Sequence, residues 1–496
     1  MVIGFLPLDS RPCTYDFPVQ LARQSGAQVI LPPAGHISEY RAQCDVSKNL
    51  RWLKEITPGC DALVISAEQL IHGGLIQSRS ARLSADEQRA ILDELKHIKK
   101  QTPRVRIYLS TVLMRTSISA VDEQTRIWWE KVNEYSHVRY LALSGGNAEI
   151  LAQYRKLENE IPENIIESYL TARRVNHEIN LACIELAKKG IVDALLILQE
   201  DCAPERIHWF EQRVLMEEIE KNGLGDRVFL FNGTDEAGCE LIQKAIHPQG
   251  ADAEIVWLSG NTDFIANYED RPFADNLKGH MRALNIREKP GAEKVVCILP
   301  PKKKQGEASQ VRSGASADYT DTELEAIANT IRTLAQKGRH CYLLDVDFAN
   351  GGNHRLLEIL SQTMPIENLW GYAGWNTASN SLGTLISQLL SVSDKTNESR
   401  AFTAERILDD AIYQPIVRGE VSEALRSMGE NIFGIENLPL AQACLKEAFE
   451  NKKPLLERIF SGNIPNFEAN LRWNRLFEAG IFVRGNGPVY TKNPSR

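Results

Sequence analysis

The chain lacks most of the short signatures that announce a chemistry. Its nine cysteines contain no Cys-x-x-Cys pair and no even set of spacings, so a disulfide-stapled secreted fold is not expected and a reducing compartment, the cytoplasm, is. No two of the ten histidines have the His-Glu-x-x-His spacing of a zinc hydrolase. There is no Gly-x-x-x-x-Gly-Lys-Ser/Thr loop to cradle a phosphate, the glycines at 145, 146, 223, 225, 351 and 352 complete no dinucleotide fingerprint, and no Gly-x-Ser-x-Gly elbow offers a nucleophilic serine. No stretch approaches the ~20 consecutive apolar residues of a membrane span. Residues 1–8 run directly into Asp9, Ser10 and Arg11 without a basic start, which reads as a first core strand and not as a signal peptide. Basic residues are outnumbered, 57 against 65 acidic, and are scattered along the chain, which argues against a nucleic-acid surface.

What is present is an ordinary core composition, 43% hydrophobic over 496 residues, arranged as short β-branched or aromatic runs alternating with helical segments. Strands are predicted at 2–8, 28–31, 62–66, 105–110, 139–143, 194–198, 228–231, 254–258, 294–299, 341–344 and 369–372. Between them, Ser84 with Glu87 and Thr320 with Glu323 have capping-box spacing, and Ile207, Phe210, Val214, Leu215 and Ile219 form one apolar helical stripe. Eight candidate strands before residue 260 match a (β/α)8 barrel, and an open parallel sheet in two lobes matches them equally. The expected organisation is an α/β unit over 1–290, barrel-like or two-lobed, then a smaller Rossmann-like lobe over 291–395 and a helical, strand-poor C-terminal region over 396–496. The polar, Gly/Ser-rich segment 300–319 reads as a linker or loop.

Polar chemistry collects where strands end, which is where parallel α/β sheets place their ligands. The first strand leads into Asp9 and Arg11, the third into Glu68 and His72, and the fourth into Arg115. Later ends carry Glu200 with Asp201, and Asn232 followed by Asp235 and Glu236. The strand at 341–344 leads into Asp345, Asp347, Asn350, Asn353 and His354, and the last into Trp375 and Asn376. Any one of these residues also suits a helix cap or tight turn. Together, carboxylates and amides with an aromatic face match a polyhydroxylated substrate.

Gly233-Thr234-Asp235-Glu236 resembles the Gly-x-Asp-Glu strand end of β-hexosaminidases, in which Glu protonates the leaving oxygen while Asp orients the acetamido group. On that pattern Glu236 is the expected acid/base and Asp235 the orienting carboxylate. Glu200 and Asp201 form a second acidic pair one strand earlier. An Asp-rich set of Asp201, Asp235, Asp345 and Asp347 would alternatively suit a hard divalent ion. Cys13 and Cys202 have acidic neighbours, which disfavour a thiolate. Trp128, Trp129 and Trp209 fall on predicted helices as packing residues, leaving Trp375 for sugar stacking.

The segments LPLDSRPC, 68–74, QEDCAP, GTDEAG, YEDRPF, DVDFANGGN and GWNTASNSLGT together resemble the bacterial family catalogued as domain of unknown function 4127, over residues 1 to about 390 and more loosely beyond. The resemblance implies one site built from these segments without naming its reaction. Glu200 stands where a second Asp is expected, which weakens a strict metal role there. Tyr268 to Pro272 belongs to the same pattern and reads as a loop held by an Arg–carboxylate pair. The function expected is a glycoside hydrolase for small oligosaccharides, including N-acetylhexosaminides, needing no cofactor and no metal. The alternatives are a metal-dependent hydrolase or lyase and a non-catalytic two-lobed sugar-binding protein. The expected partner is a small carbohydrate, with neither nucleic acid nor membrane, and monomer and homo-oligomer both stay open.

Overall fold

Runs such as Ala62-Leu63-Val64-Ile65 and Ala194-Leu195-Leu196-Ile197 are apolar at every position instead of alternate ones, as strands covered on both faces must be. In the computed structural model, which describes residues 1–42, 44–80, 83–119, 123–310, 318–485 and 487, both runs are buried strands of one parallel sheet. Its strands β1 (Val2–Leu6), β2 (Gln28–Ile30), β3 (Ala62–Ser66), β4 (Arg106–Leu113), β5 (Ala194–Gln199) and β6 (Val228–Asn232) lie in the order β2-β1-β3-β4-β5-β6. The register sets Ile65 beside Leu109, Leu113 beside Gln199, and Gln199 beside Asn232, so the polar strand ends emerge at one level.

A second parallel sheet begins with β7 (Ala251–Trp257), β8 (Ile286–Glu288) and β9 (Lys294–Leu299). After the two-residue strand β10 (Gly306–Glu307) come β11 (His340–Asp345), β12 (Phe348–Ala349) and β13 (Gly371–Ala373). The five main strands lie in the order β13-β11-β9-β7-β8, while β10 pairs with β12. Both sheets wind alike: the chain starts inside the sheet, steps once to one side, then proceeds along the other. That leaves a crevice at the carboxyl ends between β1 and β3 and another between β7 and β9, the position that favours a ligand.

The chain forms two open parallel sheets and no closed barrel among the described residues, since β2 and β6 are the edges of one sheet and β13 and β8 of the other, and β7 and β8, expected in the unit 1–290, belong to the second sheet. Residues 139–143 are not a strand. They end the helix Glu123–Leu143, whose Val132, Tyr135 and Val138 recur at helical spacing in the core while Leu143 is 60% exposed. Both capping boxes form as the spacing predicts, at Ser84 with Glu87 and Thr320 with Glu323. In the helix His208–Lys221, Leu215 and Ile219 turn inward, but Val214 is exposed.

The C-terminal region is helical in large part. The helix Asn397–Arg406 continues through a wide-turn π segment, Ile407–Val417, into the helix Arg418–Ser427. Leu408, Ile412, Leu445 and Phe449 from this region share one core with Leu299, Leu343 and Tyr372 of the second sheet. The region also contains a hairpin that its helical pattern did not announce, β14 (Phe467–Leu471) with β15 (Ala479–Val483). The connection between these two strands reaches the first sheet: Arg472 bonds Asp16 at 2.5 Å and Trp473 Nε1 donates to Ser10 Oγ at 2.8 Å. Of the loop 300–319, residues 311–317 lie outside the described residues.

Candidate functional site

The carboxyl ends of both sheets and the C-terminal hairpin enclose a cavity of about 500 Å³. One part of its wall is built around Arg11, at the start of the helix Pro12–Gln24. The Arg11 Nε donates to Asp9 at 2.9 Å, and its terminal nitrogens clamp Asp235 at 2.9 and 2.6 Å. Asn376 Nδ2 adds a 3.4 Å contact to Asp235, whose backbone N–H donates to Asn380 at 3.1 Å. The loop after β6 runs back across the sheet, so Asp235 lies against Leu8, Ser66 and Ser110 from the β1, β3 and β4 ends. Burial and the neighbouring Asp9 charge raise the Asp235 carboxyl, with Arg11 opposing, and the net direction is upward.

A second part of the wall comes from the ends of β4 and β5. Glu200 is paired with Arg79 and, at 3.2 Å, with Arg115, while Asp201 is paired with Arg115. Burial works against ionised Glu200, but the two guanidiniums outweigh it and hold the carboxyl below its ordinary value. Arg115 is itself pushed down to about 10, by burial and by the adjacent Arg79 charge. The Asp201 side chain remains 31% exposed, the most accessible carboxylate of this set.

The remaining wall carries Tyr40, Tyr268, Asn350, Arg418, Trp473, Arg475 and Phe477. Arg475 pairs with Glu478, which also lies 3.7 Å from Arg11 and so ties the hairpin to the first sheet. Tyr40 donates from its hydroxyl to the Phe433 carbonyl at 2.9 Å. Asn350, with φ +60°, donates from Nδ2 to Glu307 at 2.9 Å.

Asp9, Arg11, Arg115, Glu200, Asp201, Asp235, Asn350 and Asn376 thus share one cavity, and the other predicted site residues do not line it. Glu236, the residue after Asp235, faces the opposite way. Its Oε2 accepts from Thr234 N at 2.9 Å, its Oε1 has no hydrogen-bond partner among the described residues, and burial pushes its carboxyl up to about 8. Glu68 is buried and accepts from Val112 N at 2.7 Å and from Thr111, tying its short helix to β4. His72 is buried, which pulls its pKa down to about 4. Asn232 bonds Asn276 at 3.1 Å and Cys202.

Asp345 and Asp347 do lie together, but through Asn353, whose N–H donates to Asp345 at 2.6 Å and whose Nδ2 donates to Asp347 at 2.9 Å. Burial raises these two carboxyls to about 6 and about 8, Asp345 adding to the second. Trp375 is only 6% exposed and packs with Cys13, Phe17, Phe402 and Phe477, so its ring serves the core and Trp473 supplies the aromatic wall.

Asp201, Asp235, Asp345 and Asp347 do not form a metal-binding group among the described residues. Two other groups place their donor atoms within 4.8 Å of one another. In Glu236, Glu240 and His280, the imidazole Nδ1 meets Glu240 at 2.6 Å and its Nε2 meets the Asn232 carbonyl at 3.1 Å. A carbonyl only accepts, so Nε2 carries a proton. Burial opposes charge on this ring, but Glu240 outweighs it and raises the pKa, and Nδ1 is already engaged by Glu240. In Cys202, His208 and Asp270, one Asp270 oxygen already meets His208, Trp209 and Gln212, and burial holds Cys202 as a thiol.

Sequence reasoning missed Arg79, Tyr40, Arg418, Trp473, Arg475 and Phe477. Arg79 had a signal, since the positive-φ pair Gly73 and Gly74 turns the chain just before it. The run from Arg472 to Glu478 has one too, two aromatics among three charged side chains, but no strand end marks it as part of a site. The model of the family described as Protein of unknown function (DUF4127) matches residues 3–482. No curated protein matches the chain.

Proposed function

We propose, for this chain that belongs to the DUF4127 family, the activity of a glycoside hydrolase on small carbohydrates, with Asp235 and Asp201 as its working carboxylates. The observation that carries the proposal is that these two side chains, from different strand ends, line one cavity with amides and aromatic rings around them. Amides and carboxylates suit sugar hydroxyls, and Trp473 and Phe477 provide apolar faces for a ring. Asp235 takes the acid/base role that its sequence neighbour Glu236 is turned away from. Its pKa is raised, the direction that suits a proton donor to the leaving oxygen, with Arg11 opposing. Asp201, accessible and paired with Arg115, is the opposing carboxylate, acting as nucleophile or as base toward water.

A panel of chromogenic α- and β-glycosides, N-acetylhexosaminides included, tests this. One glycoside should be turned over by the wild type, with ~10²-fold or greater loss in both Asp235→Asn and Asp201→Asn. Binding of a sugar without any product would instead support the two-lobed binding protein, which the facing of two sheets across one cavity also suits.

A further inference from the structure

We propose that Arg418 anchors an anion subsite, and that the carbohydrate taken by this cavity carries an oxyanion, a carboxylate or phosphate group, beside its hydroxyls; the proposal rests on the carbohydrate reading of the cavity. Five arginines line the wall. Four of them have a carboxylate in ion-pair contact: Arg11 with Asp9 and Asp235, Arg79 with Glu200, Arg115 with Glu200 and Asp201, and Arg475 with Glu478. Arg418 has no such partner among the described residues. Its guanidinium carbon lies 5.1 Å from the centroid of the Phe477 ring, and no hydrogen bond or ion pair to a described residue takes up the guanidinium N–H groups.

A guanidinium stays charged under all working conditions, and its fork of donors matches two oxygens of a carboxylate or phosphate. Arg418 begins the helix Arg418–Ser427, and Ser422, four residues on and so on the same helix face, lines the cavity beside it. Tyr413, Glu307, Glu478 and Asp409 act on Arg418 only from beyond ion-pair distance, and burial outweighs them and lowers its pKa. Arg115 is also lowered, by burial and by the charges of Arg79 and Arg475, although Glu200 and Asp201 pair with it. Both guanidiniums act on Tyr268, which places that side chain near the two of them.

Titration calorimetry of the full chain with glucuronate, glucose 6-phosphate and glucose, together with thermal midpoints in millimolar inorganic phosphate at constant ionic strength, tests the subsite. At least one charged sugar should bind ~10-fold or more tightly than glucose, since a hydrogen bond to a charged group contributes at least one decade. The preferred one identifies carboxylate or phosphate. Arg418→Met should remove the preference and any phosphate shift, and Arg418→Lys, which keeps a point charge without the fork, should restore part of it. Equal binding of glucose, a preference that survives in a folded Arg418→Met variant, or no charged-sugar binding and no phosphate shift would each overturn the proposal. Charged-sugar binding without any glycoside turnover removes the hydrolase reading and leaves the subsite standing. Turnover of neutral glycosides with no anion preference does the reverse.

Discussion

Replacing Arg11 by Met keeps the aliphatic stem and removes the cation between Asp9 and Asp235, all three of which are buried. In the wild type that guanidinium makes contacts of 2.9 Å to Asp9 and of 2.9 and 2.6 Å to Asp235, with Glu478 at 3.7 Å. Breaking a buried ion pair on one side costs about 3–5 kcal/mol, because the remaining charge is left without a partner. Two carboxylates remain here, so the loss should fall at the upper part of that range at pH 8. Asp235 would respond by taking up a proton. A carboxyl whose folded pKa lies above its unfolded value binds more protons in the fold, so its stability contribution is present at low pH and is lost as pH rises. Asp235 already has a raised pKa in the wild type, and losing Arg11 raises it further. The Arg11→Met deficit, read from urea unfolding of wild type and variant, should therefore be largest at pH 8 and shrink toward pH 5. A deficit below about 1 kcal/mol, or one independent of pH over that interval, would refute the assignment of Arg11 as the cation of this network.

Asp345 and Asp347 have folded pKa values raised to about 6 and about 8, so thermal stability should decline as pH rises from ~4 through 8. Asp347→Asn should flatten that decline in melting curves, and an unchanged slope would contradict it. A side chain at Gly383 would put its Cβ 2.2 Å from Cγ of Glu236, so Gly383→Ala should cost about 1–3 kcal/mol in urea unfolding. A loss under about 0.5 kcal/mol would mean that Glu236 swings freely aside. Trp375→Leu, which opens the apolar cluster with Phe17 and Phe402, should lower the melting midpoint. A stable Trp375→Leu variant with weakened sugar binding would return Trp375 to the cavity.

The parts of the site legible in the sequence are those delivered by parallel strands. Asp9, Arg11, Glu200, Asp201 and Asp235 each follow a recognisable apolar run, and strands running the same way bring such ends to one edge of the sheet. Facing was not legible. Asp235 and Glu236 are consecutive, and only the return of the loop over β1, β3 and β4 sends one to the cavity and the other toward Glu240 and His280. Sheet order was equally hidden, because a barrel and a two-lobed sheet have the same alternation of strands and helices. Arg418, Trp473 and Arg475 reach the cavity from a helix and a hairpin connection, where no strand end marks them. Residues 139–143 show the converse error, an apolar run short enough to suit either element that closes a 21-residue helix.

In the proposed hydrolase, Asp235 and not its neighbour Glu236 faces the reacting bond. Asp235→Asn and Glu236→Gln compared in one chromogenic glycoside assay test it most directly. The expected result is a fall of ~10²-fold or more in kcat/KM for Asp235→Asn and a change of no more than a few-fold for a folded Glu236→Gln. A large fall for Glu236→Gln with activity retained in Asp235→Asn would contradict it.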